Sequence, residues 1–305
     1  MRKVLFIVTL LFVISGLIAL GIYYWAGREA GNSLSVAGVA TDAHEVMPVN
    51  FYLPGNFYSS IERAETVGFV WPREKVRAGI IPHDLTQGLM IAHMMDGLTR
   101  QNVKKVILLG PNHHEAGASE FITTAADWET EFGLVATDDQ LVGKILEYPG
   151  FSLDAEVIAD EHSVSAIAPY LGYYLPEAEI VPVIFKANIR ASALLTAAEW
   201  LDEIVDENTV VLAAVDFSHY LSADQAALKD LQTQQWLTAL DYASLENLGS
   251  NFNDYLDSPA VIGLLLRWLE QQGFKTSQII SQANSSDSMG DTNNSTTSYF
   301  EVIYY

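Results

Sequence analysis

Apolar residues fall along this chain in two kinds of run. Short, almost unbroken stretches rich in β-branched residues lie at Val76 to Ile81, Val103 to Leu109, Ile180 to Phe185 and Val210 to Val215. Stretches with helical spacing lie between or after them, at Gln87 to Arg100, Asp138 to Glu147, Ala191 to Asp206, Ala223 to Ala239 and Pro259 to Gln272. A strand that is apolar on both faces needs cover on both, so the alternation predicts an α/β fold: a central, mostly parallel or mixed sheet with helices on both faces. Phe300 to Tyr305 reads as one more strand. Ser281 to Thr297, crowded with Ser, Asn, Asp and Gly, supplies nothing for a core and reads as a long surface loop.

The N-terminal pattern is of another kind. Val4 to Trp25 runs apolar and uncharged for about the length of a bilayer-spanning helix, ending in Tyr23, Tyr24 and Trp25 as an interfacial belt. This predicts one N-terminal transmembrane helix, an uncleaved anchor over 4–25 rather than a cleaved signal peptide. Residues 1–3 carry Arg2 and Lys3 and are expected in the cytoplasm; 26–50, rich in Gly, Ala, Ser and Thr, reads as a flexible tether, and 51–305 as the folded domain. The expected placement is a single-pass protein of the cell membrane with its domain on the extracytoplasmic side.

Composition narrows the functions. The chain has 305 residues, half of them hydrophobic, ample for one sizeable core. Its 16 Lys and Arg against 38 Asp and Glu give a net charge of -22, which repels a phosphate backbone and argues against a nucleic-acid partner. With no cysteine, thiolate metal sites, disulfides and a cysteine nucleophile are excluded.

The candidate chemistry stands where strands end. Val76 to Ile81 runs into Pro82, His83 and Asp84; Val106 to Leu109 into Gly110, Pro111, Asn112, His113 and His114; Val210 to Val215 into Asp216, Phe217, Ser218 and His219. Ligands of open α/β sheets bind at the carboxyl ends of strands, so these segments are expected to meet in one crevice, over which a loop carrying Asp160, Glu161 and His162 closes. Several imidazoles with a carboxylate suit a transition-metal ion and leave positions open for substrate. The spacing of Asp216 and His219 suits a carboxylate that orients an imidazole, and equally an Asx-turn or helix cap. His44, in the tether, and His93, within an apolar helical pattern, read as structural.

Gly110-Pro-Asn-His-His114, Glu161-His-Ser163, Asp216-Phe-Ser-His-Tyr220 and Ser288-Met-Gly-Asp291 together resemble, in order, the Memo family, whose prokaryotic members are called AmmeMemoRadiSam system protein B. The resemblance covers Val76 to the C-terminus and implies a fold similar to the class III extradiol dioxygenases of the LigB type. It further implies that His83 and His113 are metal ligands, that His219 moves a proton or lines the pocket, and that Asp216, Glu161 and His162 belong to the same catalytic cluster. Asn112, His114 and Ser218 then flank the ligands, where they would hold them or touch substrate. The family's third ligand is a cysteine; counting back without gaps from Ile262 and Gly263 puts Asp257 in its place, with His219 or Asp254 as alternatives. His83, His113 and Asp257 would make a set of two histidines and one carboxylate, which suits one ion, iron or copper in preference to zinc.

Three functions compete. The first is a metal-dependent oxidoreductase acting on an unidentified substrate. The second is a metal-assisted hydrolase with Glu161 or Asp216 as base. The third is a non-catalytic module that captures a small molecule or peptide in the same pocket.

Overall fold

The computed structural model describes residues 44–68, 70–289 and 295–305. In chain order its strands are β1 (Val46–Pro48), β2 (Ala78–Ile81), β3 (Lys105–Pro111), β4 (Phe121–Thr123), β5 (Asp127–Thr130), β6 (Gly133–Val135), β7 (Phe151–Leu153), β8 (Glu179–Phe185), β9 (Thr209–Ala214), β10 (His219–Leu221), β11 (Ser277–Asn284) and β12 (Thr296–Tyr304). Nine of them form one mixed sheet in the order β10-β12-β2-β9-β3-β8-β4-β7, with β11 paired to β12. Its centre, β2, β9, β3 and β8, is parallel, and β12 lies antiparallel to β2. The other three, β1, β5 and β6, form a small separate sheet.

The unbroken apolar character of the central strands follows from cover on both faces. Ile107 and Leu109 of β3 and Val211 and Ala213 of β9 pack with Trp200 and Leu201 of the helix Ala191–Ile204 and with Leu265 and Trp268 of the helix Pro259–Gln271. Their neighbours Val106, Leu108, Val210 and Leu212 point the other way, toward Ile91, Met94 and Met95 of the helix Gly88–Thr99 and Phe57 of the helix Pro54–Val67. The period of two along each strand thus divides the core into two layers that share one sheet.

Parallel pairing also sets the level at which the strands end. Ile81 pairs with Ala214, and Leu109 with Ala213, so Pro82-His83, Pro111-Asn112-His113 and Asp216 all emerge at the same edge. A fourth segment joins them from the side. Phe217 and Leu256 form an antiparallel bridge, Ser218 N–H donates to the Tyr255 carbonyl at 2.9 Å, and Asp257 N–H donates to the Asp216 carbonyl at 3.0 Å. Ser258 then caps the helix Pro259–Gln271, its hydroxyl accepting from Val261 N–H, and Pro259 stands in the first turn, where no amide hydrogen is needed. Asp257 is thereby fixed between a bridge and a helix start.

Three expectations are overturned. The transmembrane helix and the single-pass, extracytoplasmic placement drawn from it do not stand: among the described residues no helix is long and apolar enough to cross a membrane. The expected anchor, 4–25, lies outside the described residues, and the longest described helix, the 17-residue Ala223–Ala239, carries Asp224, Lys229 and Asp230. The tether cannot extend to residue 50, because Val46–Pro48 pairs in parallel with β5 and buries Met47, and the Asn50 side chain donates to Asp160 at 3.3 Å. The loop expected from Ser281 to Thr297 is mostly regular: β11 runs to Asn284, Ser285–Met289 is helical, and β12 begins at Thr296. An outer strand is held by backbone hydrogen bonds to one partner, so polar side chains are no obstacle to it. Gly290 and Asp291 of the Ser-Met-Gly-Asp motif lie outside the described residues.

Candidate metal centre

His83 is buried at 4% exposure directly after β2. Its Nδ1 lies 3.1 Å from the Ala214 carbonyl, which can only accept, so the ring carries its proton on Nδ1 and turns Nε2 inward. Its backbone N–H donates to Asp216 Oδ1 at 3.1 Å. His113 is oriented in the same sense by another partner: Glu161 takes the ring Nδ1–H on Oε1 at 2.8 Å and the backbone N–H on Oε2 at 2.7 Å. Both Nε2 atoms face one oxygen, Asp257 Oδ2, at 3.4 Å from His83 and 3.5 Å from His113, and Asp216 Oδ2 lies 3.5 Å from His83 Nε2. Ligands held at about 2.1 Å around one tetrahedral ion stand about 3.4 Å apart, so these separations match a shared cation.

His162 completes the cluster. Its ring stacks on His113 with centroids 4.2 Å apart and stands edge-on to His83 at 5.0 Å. Two groups of donor atoms, His83 with His113 and His162, and His83 with Asp216 and Asp257, each lie within 4.8 Å of one another. The buried Asp257 Oδ1 has no hydrogen-bond partner among the described residues, a costly state for a carboxylate oxygen that a cation would relieve. Imidazole and carboxylate donors without thiolate are the chemistry of iron, copper or zinc, and the residues present fit such an ion.

Electrostatics follow the geometry. Burial opposes charge on His113, but the hydrogen bonds it donates to Asp257 and Glu161, with their negative charge, outweigh it and raise the ring pKa to about 10. Glu161, despite burial, is drawn down to about 2 by the same pairing. His162 falls to about 4 through burial and its closeness to the other two histidines of the cluster. Burial raises Asp216, whereas in Asp257 the hydrogen bond from His113 and the nearby histidines prevail over burial and lower it.

His219, at the start of β10, stands beside this cluster instead of in it. It lines a cavity of about 190 Å³ with Asn112, His113, Glu115, Asn253 and Asp257, and burial lowers its pKa. Its Nδ1 is buried without a hydrogen-bond partner among the described residues. A second cavity, of about 450 Å³, opens on the other side of the cluster between Phe51, Leu53, His83, Leu85 and His162. The remaining expected residues take other places. His114 is exposed and lines neither cavity. Asn112 closes its own turn, exchanging hydrogen bonds with the Ala116 backbone. Ser218 points away from the cluster, donating at 2.7 Å to the buried Asp230, which also holds Ser298 and Gln282. Glu161, with its oxygens taken by His113 and Ser163 N–H, orients a histidine and is not free as a base.

Asp230 and Phe51 were not singled out by sequence reasoning. Asp230 left a signal, standing on the buried stripe Ala226, Asp230, Thr233 and Leu237 of its helix. Phe51, packed against His162 with centroids 5.6 Å apart, left none beyond its place at the expected domain boundary.

Residues 56–303 match the family described as Memo-like protein. Over 242 residues the chain is 28% identical to a MEMO1 family protein of Pyrobaculum arsenaticum, covering 76% of this chain and 84% of that one. It is 29% identical over 233 residues to one of Methanopyrus kandleri, covering 74% and 80% respectively, and 27% identical over 250 residues to one of Aquifex aeolicus, covering 77% and 86%. A crystal structure of an uncharacterized protein of Escherichia coli K12 aligns with a TM-score of 0.47 at 14% identity, over 74% of this chain and 99% of that one. On the extent of the family match, this chain belongs to the Memo family.

Proposed function

We propose that this protein binds one redox-active transition-metal ion, iron or copper, through His83, His113 and Asp257 and uses it as an oxidoreductase. The observation that carries the reading is the convergence of both Nε2 atoms on Asp257 Oδ2 while each Nδ1 is tied elsewhere. Such an ion would supply redox and Lewis-acid chemistry at the cavity wall. The chain's own residues do the rest. Glu161 and the Ala214 carbonyl fix the tautomers of the two ring ligands, and Asp216 holds the His83 backbone. His219, kept neutral by burial, takes a proton from a substrate seated in the 190 Å³ cavity and returns it. Asn112, Glu115 and Asn253 give that cavity a polar wall that favours a hydrogen-bonding head group.

The test is elemental analysis of the full chain purified without added metal, beside a His83→Ala, His113→Ala double variant. Near-stoichiometric iron or copper, lost in the variant, is the expected result and leads to an oxygen-uptake screen. Wild type that stays metal-free after anaerobic Fe(II) loading overturns the proposal. One observation favours a second reading: the 450 Å³ cavity between Phe51, Leu53, Leu85 and His162 is larger and more apolar, and suits a module that captures a small molecule or peptide without turnover. Ligand retention by the double variant would distinguish it.

A further inference from the structure

The polar cavity beside the metal cluster has an immediate neighbour. Ala187 and Phe252 belong at once to its wall and to the wall of a third cavity, of about 250 Å³, and Ser258 of the first is followed in sequence by Pro259 of the third. The linings differ in balance. Toward the cluster stand Asn112, His113, Glu115, His219, Asn253 and Asp257; beyond Phe252 stand Ile189, Leu194, Leu245, Leu248, Pro259 and Ala260. Asn188 and Glu246 are the polar side chains of the far wall; Glu246 is already ion-paired with Arg267, and apolar side chains make up the larger share of the lining. Leu194, Leu245 and Ala260 belong to the buried core, which makes the floor of this cavity part of the packed layer beneath the sheet.

We propose that the third cavity is a tail subsite, and that the substrate is an amphiphile. Its chelating or hydrogen-bonding head sits at the His83, His113 and Asp257 cluster, and its unbranched apolar chain passes Phe252 to lie against Leu194, Leu245 and Leu248. The placement of the head rests on the metal-dependent reading above; the apolar chain rests on the cavity itself. A ligand confined to the polar cavity would have only about 190 Å³, below the roughly 300–1,000 Å³ of ordinary small-molecule sites, and the adjoining space supplies both the volume and the apolar lining such sites have. Phe252 lies in the short 3-10 segment Gly249–Asp254, which begins at a glycine with φ of +62° and kinks at Asn251. The side chain shared by the two walls is therefore carried on irregular backbone, and it is the group that a chain reaching from one cavity to the other would have to pass.

The experiment uses the full chain loaded with cobalt(II), whose visible bands report ligation, titrated with acetohydroxamate, butanohydroxamate, hexanohydroxamate and octanohydroxamate. Affinity is expected to rise about fourfold per added methylene, the value of about 0.8 kcal/mol for each one buried, until the cavity is filled. In Leu248→Asp the ratio of octanohydroxamate to acetohydroxamate affinity should collapse toward one, and in Leu248→Ala, a milder change, it should fall part of the way. A series that is flat in wild type overturns the tail subsite. Absence of band shifts with acetohydroxamate, together with no bound cobalt, instead removes the metal reading. In that case n-octanol is added to the metal-free chain with methyl-labelled Ile and Leu. Shifts confined to Ile189, Leu194, Leu245 and Leu248 uphold the subsite, and their absence or their spread over other methyls overturns it.

Discussion

Glu161 decides what His113 can do. By holding the ring Nδ1–H and the backbone N–H of the same residue, it aims Nε2 at Asp257. Removing a carboxylate partner of this kind typically weakens metal binding by about 10–100-fold, and Glu161→Gln is expected to fall in that range by competition with a chromophoric chelator. Unchanged affinity would reduce Glu161 to the cap of the helix His162–Ser165. The same pair sets a pH response. Glu161 is held at about 2 and His113 at about 10. The depressed carboxylate adds stability above the ordinary glutamate value of about 4.3 and loses it as pH falls toward 2; the raised imidazole adds stability below about 6.5 and loses it as pH rises toward 10. The advantage of metal-free wild type over Glu161→Gln in urea unfolding should therefore peak near about pH 5–6 and shrink on either side. A metal must displace the His113 proton, so affinity should climb with pH by up to about tenfold per unit below 10, with one proton released, as calorimetry in buffers of different ionisation enthalpy would count. His162, held near 4, has no proton to give up at neutral pH. The positions of His83, His113 and Asp257 were legible because strand ends and a gapless count locate a backbone. The directions of Ser218 and His114 were not, since proximity in sequence does not say which way a side chain turns.

At the scale of elements, two sequence motifs are held together by a missing side chain. A Cβ at Gly110, in β3, would stand 2.5 Å from Ser163 Oγ, and that hydroxyl donates to the Pro111 carbonyl at 2.7 Å. The helix His162–Ser165 can approach the strand end only because residue 110 is glycine, and this approach lets Glu161 reach His113. Gly110→Ala is expected to push the two elements apart, costing about 1–3 kcal/mol as overpacking does, and to weaken metal binding more than an equally destabilising change remote from the site. Urea unfolding and chelator competition on the same samples separate the two effects; wild-type metal affinity in the variant would disprove the coupling. The central strands and long helices were readable because their apolar period is dictated by cover on both faces. The short pieces were not: β1, β4, β5, β6 and β7 have only three or four residues each, too few to establish a period. β11 was hidden by its polar residues, and the strand-like role of Tyr255–Asp257 depends on a bridge to Phe217 that only the folded chain brings about.

For the molecule as a whole, the fact that matters is that both apolar layers share one sheet. Trp128 reports the layer that contains the helix Gly88–Thr99, and Trp200 and Trp268 report the opposite layer. A strand such as β3, with Ile107 and Leu109 on one side and Val106 and Leu108 on the other, cannot leave one layer and stay in the other. Single-tryptophan variants on either side are therefore expected to give coincident unfolding curves. The proposed metal ligands come from the ends of β2 and β3 and from Asp257, which is bridged to the segment after β9, so an ion there would tie together segments from most of the chain's length. Because such an ion binds only the folded arrangement, a free-metal concentration a hundred times Kd should add about 2.7 kcal/mol. In a domain of this size that is a rise of several degrees, at about 2–4 °C per kcal/mol. The rise should be the same for both sets of tryptophans and absent in His83→Ala. A metal-induced shift seen by Trp128 alone would mean that the layers unfold separately and that the centre does not span the sheet.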